Sequence, residues 1–150
     1  MIQAKGIMAK KKEEILEEVK NLITREDGTC KKVLLYAVST AALLKDGAKL
    51  LEKLQRNMKV YEENGDRIFV IFTVQFGARE KLQILRPDIV AFFDTVIEQY
   101  TQAAICKTID YEDMDYIYDI CDAYYGDWGI GAWRCRLMKK PVMIQDAHVE

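Results

Sequence analysis

Arg67-Ile68-Phe69-Val70-Ile71-Phe72-Thr73-Val74-Gln75-Phe76 is the stretch on which the fold of this 150-residue chain turns. Its β-branched and aromatic residues favour a strand, but a helix apolar on every side would have the same composition, and periodicity does not separate the two. The neighbours on both sides read as helices, and only Val33 to Val38 offers another candidate strand. The expectation is therefore an all-α domain, a compact bundle of about five or six helices with Ile68 to Phe76 buried at its centre behind an Asp66 cap. The alternative is α/β, with strands near 33–38 and 68–76 and the helix between them acting as the crossover of a parallel pair.

Upstream, Ile15, Val19, Leu22 and Ile23 recur at helical spacing between lysines and glutamates, which predicts an amphipathic helix over 9–24 closed by Glu26-Asp27-Gly28. Thr29 then caps a helix striped by Leu34, Val38, Ala41 and Leu44. The stripe resumes at Leu50, Leu51, Leu54, Met58 and Tyr61 until Asn64-Gly65 stops it. Downstream, Pro87-Asp88 opens a helix that buries Ile89, Phe92, Phe93, Val96 and Tyr100. Asp110 caps the next, whose stripe of Met114, Ile117, Tyr118, Cys121, Tyr124, Tyr125 and Trp128 is the clearest periodic pattern in the chain. Trp133 to Lys140 reads as a short helix, and Pro141 ends regular structure.

Half of the residues are hydrophobic and 31% are charged, which suits one folded helical domain over residues 1–150, with 1–8 and 141–150 expected to be mobile. The longest apolar run, Ile68 to Phe72, is far shorter than the roughly 20 residues that span a bilayer, so no membrane association is expected. With no secretory signal at the start, the expected compartment is the cytoplasm. Lys5-Gly6-Ile7-Met8 can be encoded by a purine-rich stretch like a bacterial ribosome-binding site, which makes Met8 a candidate start. Mass spectrometry of the natively expressed protein decides that point, and an intact Met1 end would refute it. Cys30, Cys106, Cys121 and Cys135 are dispersed and lack nearby histidines, so neither a zinc site nor disulfides are expected.

Charge is uneven along the chain. Residues 1–60 hold 13 Lys/Arg against 8 Asp/Glu, residues 61–127 hold 5 against 14, and residues 128–150 hold 4 against 2. On a helix from Asp110 to Trp128, Asp115, Asp119 and Asp122 would share one face at i, i+4, i+7 spacing, opposite the aromatic stripe. Asp127 and an off-stripe Tyr116 would extend that face. Such a surface steers and selects a basic partner, and it can also imitate nucleic-acid phosphates.

Signals for catalysis are weak. The single histidine, His148, sits near the end of the chain, which removes Ser-His and Cys-His schemes. Gly126-x-x-Gly129-x-Gly131 has the look of a phosphate-cradling loop, yet it is expected to follow a helix, and it lacks the Lys-Ser/Thr of a P-loop. It reads as a helix C-cap and turn.

The function expected from sequence is a non-enzymatic interaction, inhibitor or regulator module of bacterial or phage type. It presents Asp115, Asp119, Asp122, Asp127 and Tyr116 to a basic protein surface, with no cofactor and no metal, and with a homodimer open. One alternative is a nucleic-acid-binding regulator that uses Lys10, Lys11, Lys12, Arg134, Arg136, Lys139 and Lys140, which the net charge of −2 disfavours. The other is a Mg²⁺-dependent helical enzyme acting on a phosphorylated substrate through aspartates one turn apart.

Overall fold

The computed structural model describes residues 2–109 and 116–148, with side chains from residue 11 onward, and it overturns the all-α expectation. Among the described residues five strands form one sheet: β1 (Lys32–Val38), β2 (Ile68–Val74), β3 (Cys106–Thr108), β4 (Ala123–Gly126) and β5 (Val142–Ile144). Their order is β3-β2-β1-β4-β5, and every neighbouring pair runs parallel. The helices among the described residues are α1 (Ile2–Ile23), α2 (Thr40–Asp46), α3 (Ala48–Glu63), α4 (Ala78–Leu85), α5 (Val90–Gln102), α6 (Ile117–Ile120) and α7 (Ile130–Leu137). A 3₁₀ turn, Pro87–Ile89, leads into α5.

The segment 68–76 is a strand because both of its faces are covered. A parallel sheet carries helices on both sides, so a central strand is a continuous apolar run with no alternation for periodicity to detect. Val70 and Phe72 pack with Leu50, Leu54, Phe93, Val96 and Tyr100 of α3 and α5, while Phe69 and Ile71 pack on the opposite side with Val19 of α1 and Cys135 of α7. β1 obeys the same division: Tyr36 and Val38 face the first layer, Val33 and Leu35 the second. Register pairs Leu35 with Ile71 and Tyr36 with Phe72, which brings the two buried runs side by side. The helix expected from Thr29 to Leu44 is therefore β1 followed by α2, and α2 and α3 make the crossover to β2.

The second correction falls on 110–128. Residues 110–115 lie outside those described. Beyond them, α6 lasts four residues, Cys121 ends it in extended conformation, and Ala123–Gly126 enters the sheet beside β1. Tyr124 and Tyr125, adjacent members of the stripe on the expected helix, instead point to opposite sheet faces: Tyr124 joins the layer of α1 and α7, Tyr125 that of α3. The aromatic stripe had helical spacing because a short helix and a strand each supply part of it.

Regular structure also continues past Pro141, where the sequence pattern ends it. Residues 142–144 form β5 beside β4, and Gln145 and Ala147 are buried, so this stretch is part of the sheet layer. At the other end, α1 takes in residues 2–8 as backbone. No helix among the described residues is long and apolar enough to cross a membrane.

Candidate functional site at the carboxyl edge of the sheet

From β1 the chain moves outward through β2 to β3, then returns to lay β4 on the other flank of β1 and continues to β5. The loops after β1 and β4 therefore diverge to opposite faces, leaving a crevice beyond their carboxyl ends. In open α/β sheets such a switch point is where ligands bind. Here it is an open cleft of about 210 Å³, bordered by Ser39, Thr73, Gln75, Tyr118, Trp128 and Gly131 among others. A second cleft, of about 520 Å³, shares Thr73 and Gln75 and runs toward α4 and α5.

A continuous line of hydrogen bonds leads to the cleft. Asn57 Nδ2 donates to Tyr36 Oη (3.1 Å), and Tyr36 Oη donates to Gln145 Oε1 (2.7 Å). Gln145 Nε2 in turn donates to Asp127 Oδ1 (3.0 Å), and Asp127 Oδ2 accepts the Ser39 main-chain N–H (2.7 Å). Asp127 N–H donates to Ala37 O (3.0 Å), so β1, β4 and the end of β5 are tied together where the cleft opens. Burial raises the Asp127 carboxyl above its ordinary value of 3.8, although the Ser39 and Gln145 bonds favour its charged form. Ser39 Oγ accepts from Ala42 N and caps α2, while Gln75 Oε1 accepts from Thr40 N.

The β4–α7 connection has the geometry that the sequence reading denied it. Gly126 ends a strand, and Gly129 is the N-cap of α7, with no side-chain cap hydrogen bond among the described residues. At Gly126 φ is +146°, and a Cβ there would lie 2.1 Å from Ala37 O, so only glycine lets β4 close on β1 at this point. A Cβ at Gly131 would meet the Tyr118 ring at 2.9 Å. The glycines therefore open a strand–loop–helix unit at the switch point. Its first N–H groups lack intrahelical partners and carry the positive end of the helix dipole. Thr73 adds a hydroxyl that is buried and without a partner among the described residues, at the border of the same cleft.

The residues named from sequence are not gathered on one surface. Asp115 lies outside the described residues. Asp119 is exposed on α6, and Asp122 Oδ2 accepts the Val33 main-chain N–H (2.7 Å) at the amino end of β1. Asp127 does the corresponding task at the carboxyl end, so two of the four aspartates brace β1. Tyr116 is half-buried, with Lys12 Nζ over its ring at 5.6 Å.

The basic residues are also divided. Lys10 and Lys11 lie on α1, Lys10 without a described side chain. Arg134 stacks on the Tyr118 ring (4.9 Å), Arg136 and Lys139 are exposed, and Lys140 Nζ donates to Tyr118 O and Asp119 O. His148 Nε2 lies 3.2 Å from Asp46 Oδ1. Among the described residues no three His, Cys, Asp or Glu side chains converge as metal ligands would.

These features define a class: a doubly wound, wholly parallel α/β domain with a glycine-bordered cleft at its switch point. Comparison with family models, with curated proteins and with solved structures finds no match to this chain.

Proposed function

We propose that this domain binds a small anionic metabolite, one carrying a phosphate or carboxylate group, in the cleft between the β1 and β4 loops. The observation that carries the reading is the uncapped amino end of α7, reached from β4 through Gly126 and Gly129, at the point where the strand order reverses. Oriented backbone N–H groups and the helix dipole there suit an anion. Thr73 and Gln75 supply polar contacts for the rest of the ligand, the exposed ring of Trp128 supplies an apolar rim, and Phe76 borders the adjoining cleft.

The test uses Ile130, the first residue of α7. Its side chain is exposed, and proline is tolerated at this position, so Ile130→Pro removes one orphan N–H with little cost to folding. Binding is read from Trp128 fluorescence in a Trp133→Phe background, with inorganic phosphate, a sugar phosphate, a nucleoside diphosphate and a dicarboxylic acid as probes. At least one probe should bind saturably, and Ile130→Pro should weaken it about tenfold, the worth of one charge-assisted hydrogen bond. Absence of saturable binding by every probe, or equal affinity in the proline variant, overturns the reading.

A further inference from the structure

Cys121 ends α6 on the way into β4, and Cys135 lies on the inner side of α7. Their Sγ atoms are 3.8 Å apart, and both residues are buried in the layer that α7 packs onto the sheet. A disulfide needs about 2.05 Å, so the remaining gap is within reach of side-chain rotation and small shifts of a short helix. No other thiols are so placed: Cys30 is exposed with its sulfur 3.9 Å from the Thr24 hydroxyl, and Cys106 is buried on the opposite layer, its thiol pushed up to about 12 by desolvation.

Two cations stand beside the pair. Lys140 Nζ is held on the carbonyls of Tyr118 (2.6 Å) and Asp119 (2.8 Å), and Arg134 stacks over the Tyr118 ring. Cys121 Sγ itself lies 3.6 Å from Tyr118 O. The thiol hydrogen bond from Cys121, helped by Lys140 and Arg134, lowers the Cys135 thiol against the opposing effect of burial. A thiolate is the reactive form of cysteine, and cations nearby are what favour it.

We infer that Cys121 and Cys135 are a redox-active dithiol, converted in the folded protein to an intramolecular disulfide by a peroxide. The Cys135 thiolate attacks one peroxide oxygen: an S–O bond forms, the O–O bond breaks, and hydroxide leaves a sulfenic acid. Cys121 sulfur then attacks that sulfur, forming the S–S bond as the S–O bond breaks, and the departing hydroxide takes the Cys121 proton as water. Two thiols and one hydrogen peroxide give one disulfide and two waters. The bond joins α6 to α7, whose Tyr118 and Gly131 are already in near contact at the cleft wall. The inference is independent of what the cleft binds.

The experiment uses the full chain with Cys30→Ala, which leaves Cys106, Cys121 and Cys135. The folded protein is treated with stoichiometric hydrogen peroxide, quenched in acid, unfolded and counted for free thiols. The expected result is a fall from three thiols to one, a mass lower by two hydrogens, and a peptide map joining the segments around Cys121 and Cys135. The melting temperature should rise by roughly 5–10 °C, as befits a short closed loop in a chain of this size, and dithiothreitol should reverse it. Cys121→Ser should abolish the cross-link and leave Cys135 as its sulfenic or sulfinic acid. Retention of all three thiols in native buffer, a link that forms only in urea, or a link through Cys106 overturns the inference.

Discussion

The two flanks of β1 are built differently. On one side β2 is a seven-residue strand buried along most of its length, covered by α3 and α5 on one face and by α1 on the other. On the other side β4 and β5 have four and three residues, and Met143 and Ile144 of β5 are largely exposed. The first flank is buried on both faces, whereas the second packs Tyr124 and Val142 on the layer of α7 and adds hydrogen bonds that run from Asn57 to Ser39. A fold can thus concentrate its hydrophobic stabilisation on one side of its central strand and keep a shorter, more open edge on the other.

The largest expected effect is on the apolar flank. Phe72 is 1% exposed and stacks on Tyr100 with ring centroids 4.2 Å apart, so Phe72→Ala removes a whole aromatic and leaves a cavity. The cost should be about 3–5 kcal/mol by urea denaturation, a large share of what a domain this size possesses. Met143→Ala on the opposite flank should cost within about 0.5 kcal/mol. Equal losses would remove the contrast between the flanks.

Next comes Gly126→Ala, which places a methyl against Ala37 O at a φ that L-residues rarely adopt. A loss of about 2 kcal/mol or more is expected in the same assay, because the β1–β4 pairing must shift to admit it. A neutral result would mean that β4 does not approach β1 as closely as described.

The same contrast explains what the sequence disclosed. The buried helices announced themselves: α3 ends at Asn64, and Pro87 starts the turn into α5, as spacing and punctuation predicted. β1 and β2 appeared as strands only in the alternative reading, because strands buried on both faces lack the two-residue alternation that marks a half-exposed strand. The weaker flank misled for another reason. Tyr118, Cys121, Tyr124 and Tyr125 happen to recur at helical spacing across α6, a bend and β4, so the periodic signal spanned a break it could not register.

The same break conceals the candidate site. With 110–128 read as a helix, Gly126-x-x-Gly129-x-Gly131 became a helix end. With β4 recognised, the same residues are a strand–glycine–helix connection. The glycines are legible in the sequence, and the strand that precedes them is not. Asp127 is legible as a charge, but nothing local reveals that its partners are Ser39 and Gln145, which are distant in sequence.

Asp127 also separates the flanks by pH. Burial raises its folded-state pKa above the ordinary 3.8. The stability linked to that shift is fully present below the unfolded-state value and is lost as pH rises through the folded-state value. Asp94 on the other flank has its carboxyl lowered by the hydrogen bonds from Arg79, so its linked stability is lost as pH falls. Comparing wild type with Asp127→Asn from neutrality down toward 3.8, the wild type should gain relative to the variant as acid is added. A constant difference across that window would place the Asp127 titration elsewhere.

The smallest expected effect concerns Asp119, the aspartate of the sequence-derived acidic set whose carboxylate is exposed on α6. Its main-chain carbonyl takes part in structure by accepting from Lys140 Nζ, but a side-chain substitution does not disturb that bond. Asp119→Asn should therefore change stability by less than about 0.5 kcal/mol, whereas Asp122→Asn puts at risk the bond to the Val33 N–H at the start of β1. Read by denaturation, the pair separates a carboxylate that merely faces solvent from one that braces the central strand. Were Asp119→Asn the more costly, the carboxylate of α6 would have a structural partner of its own, and the division between braced and free acids drawn from the sheet would fail.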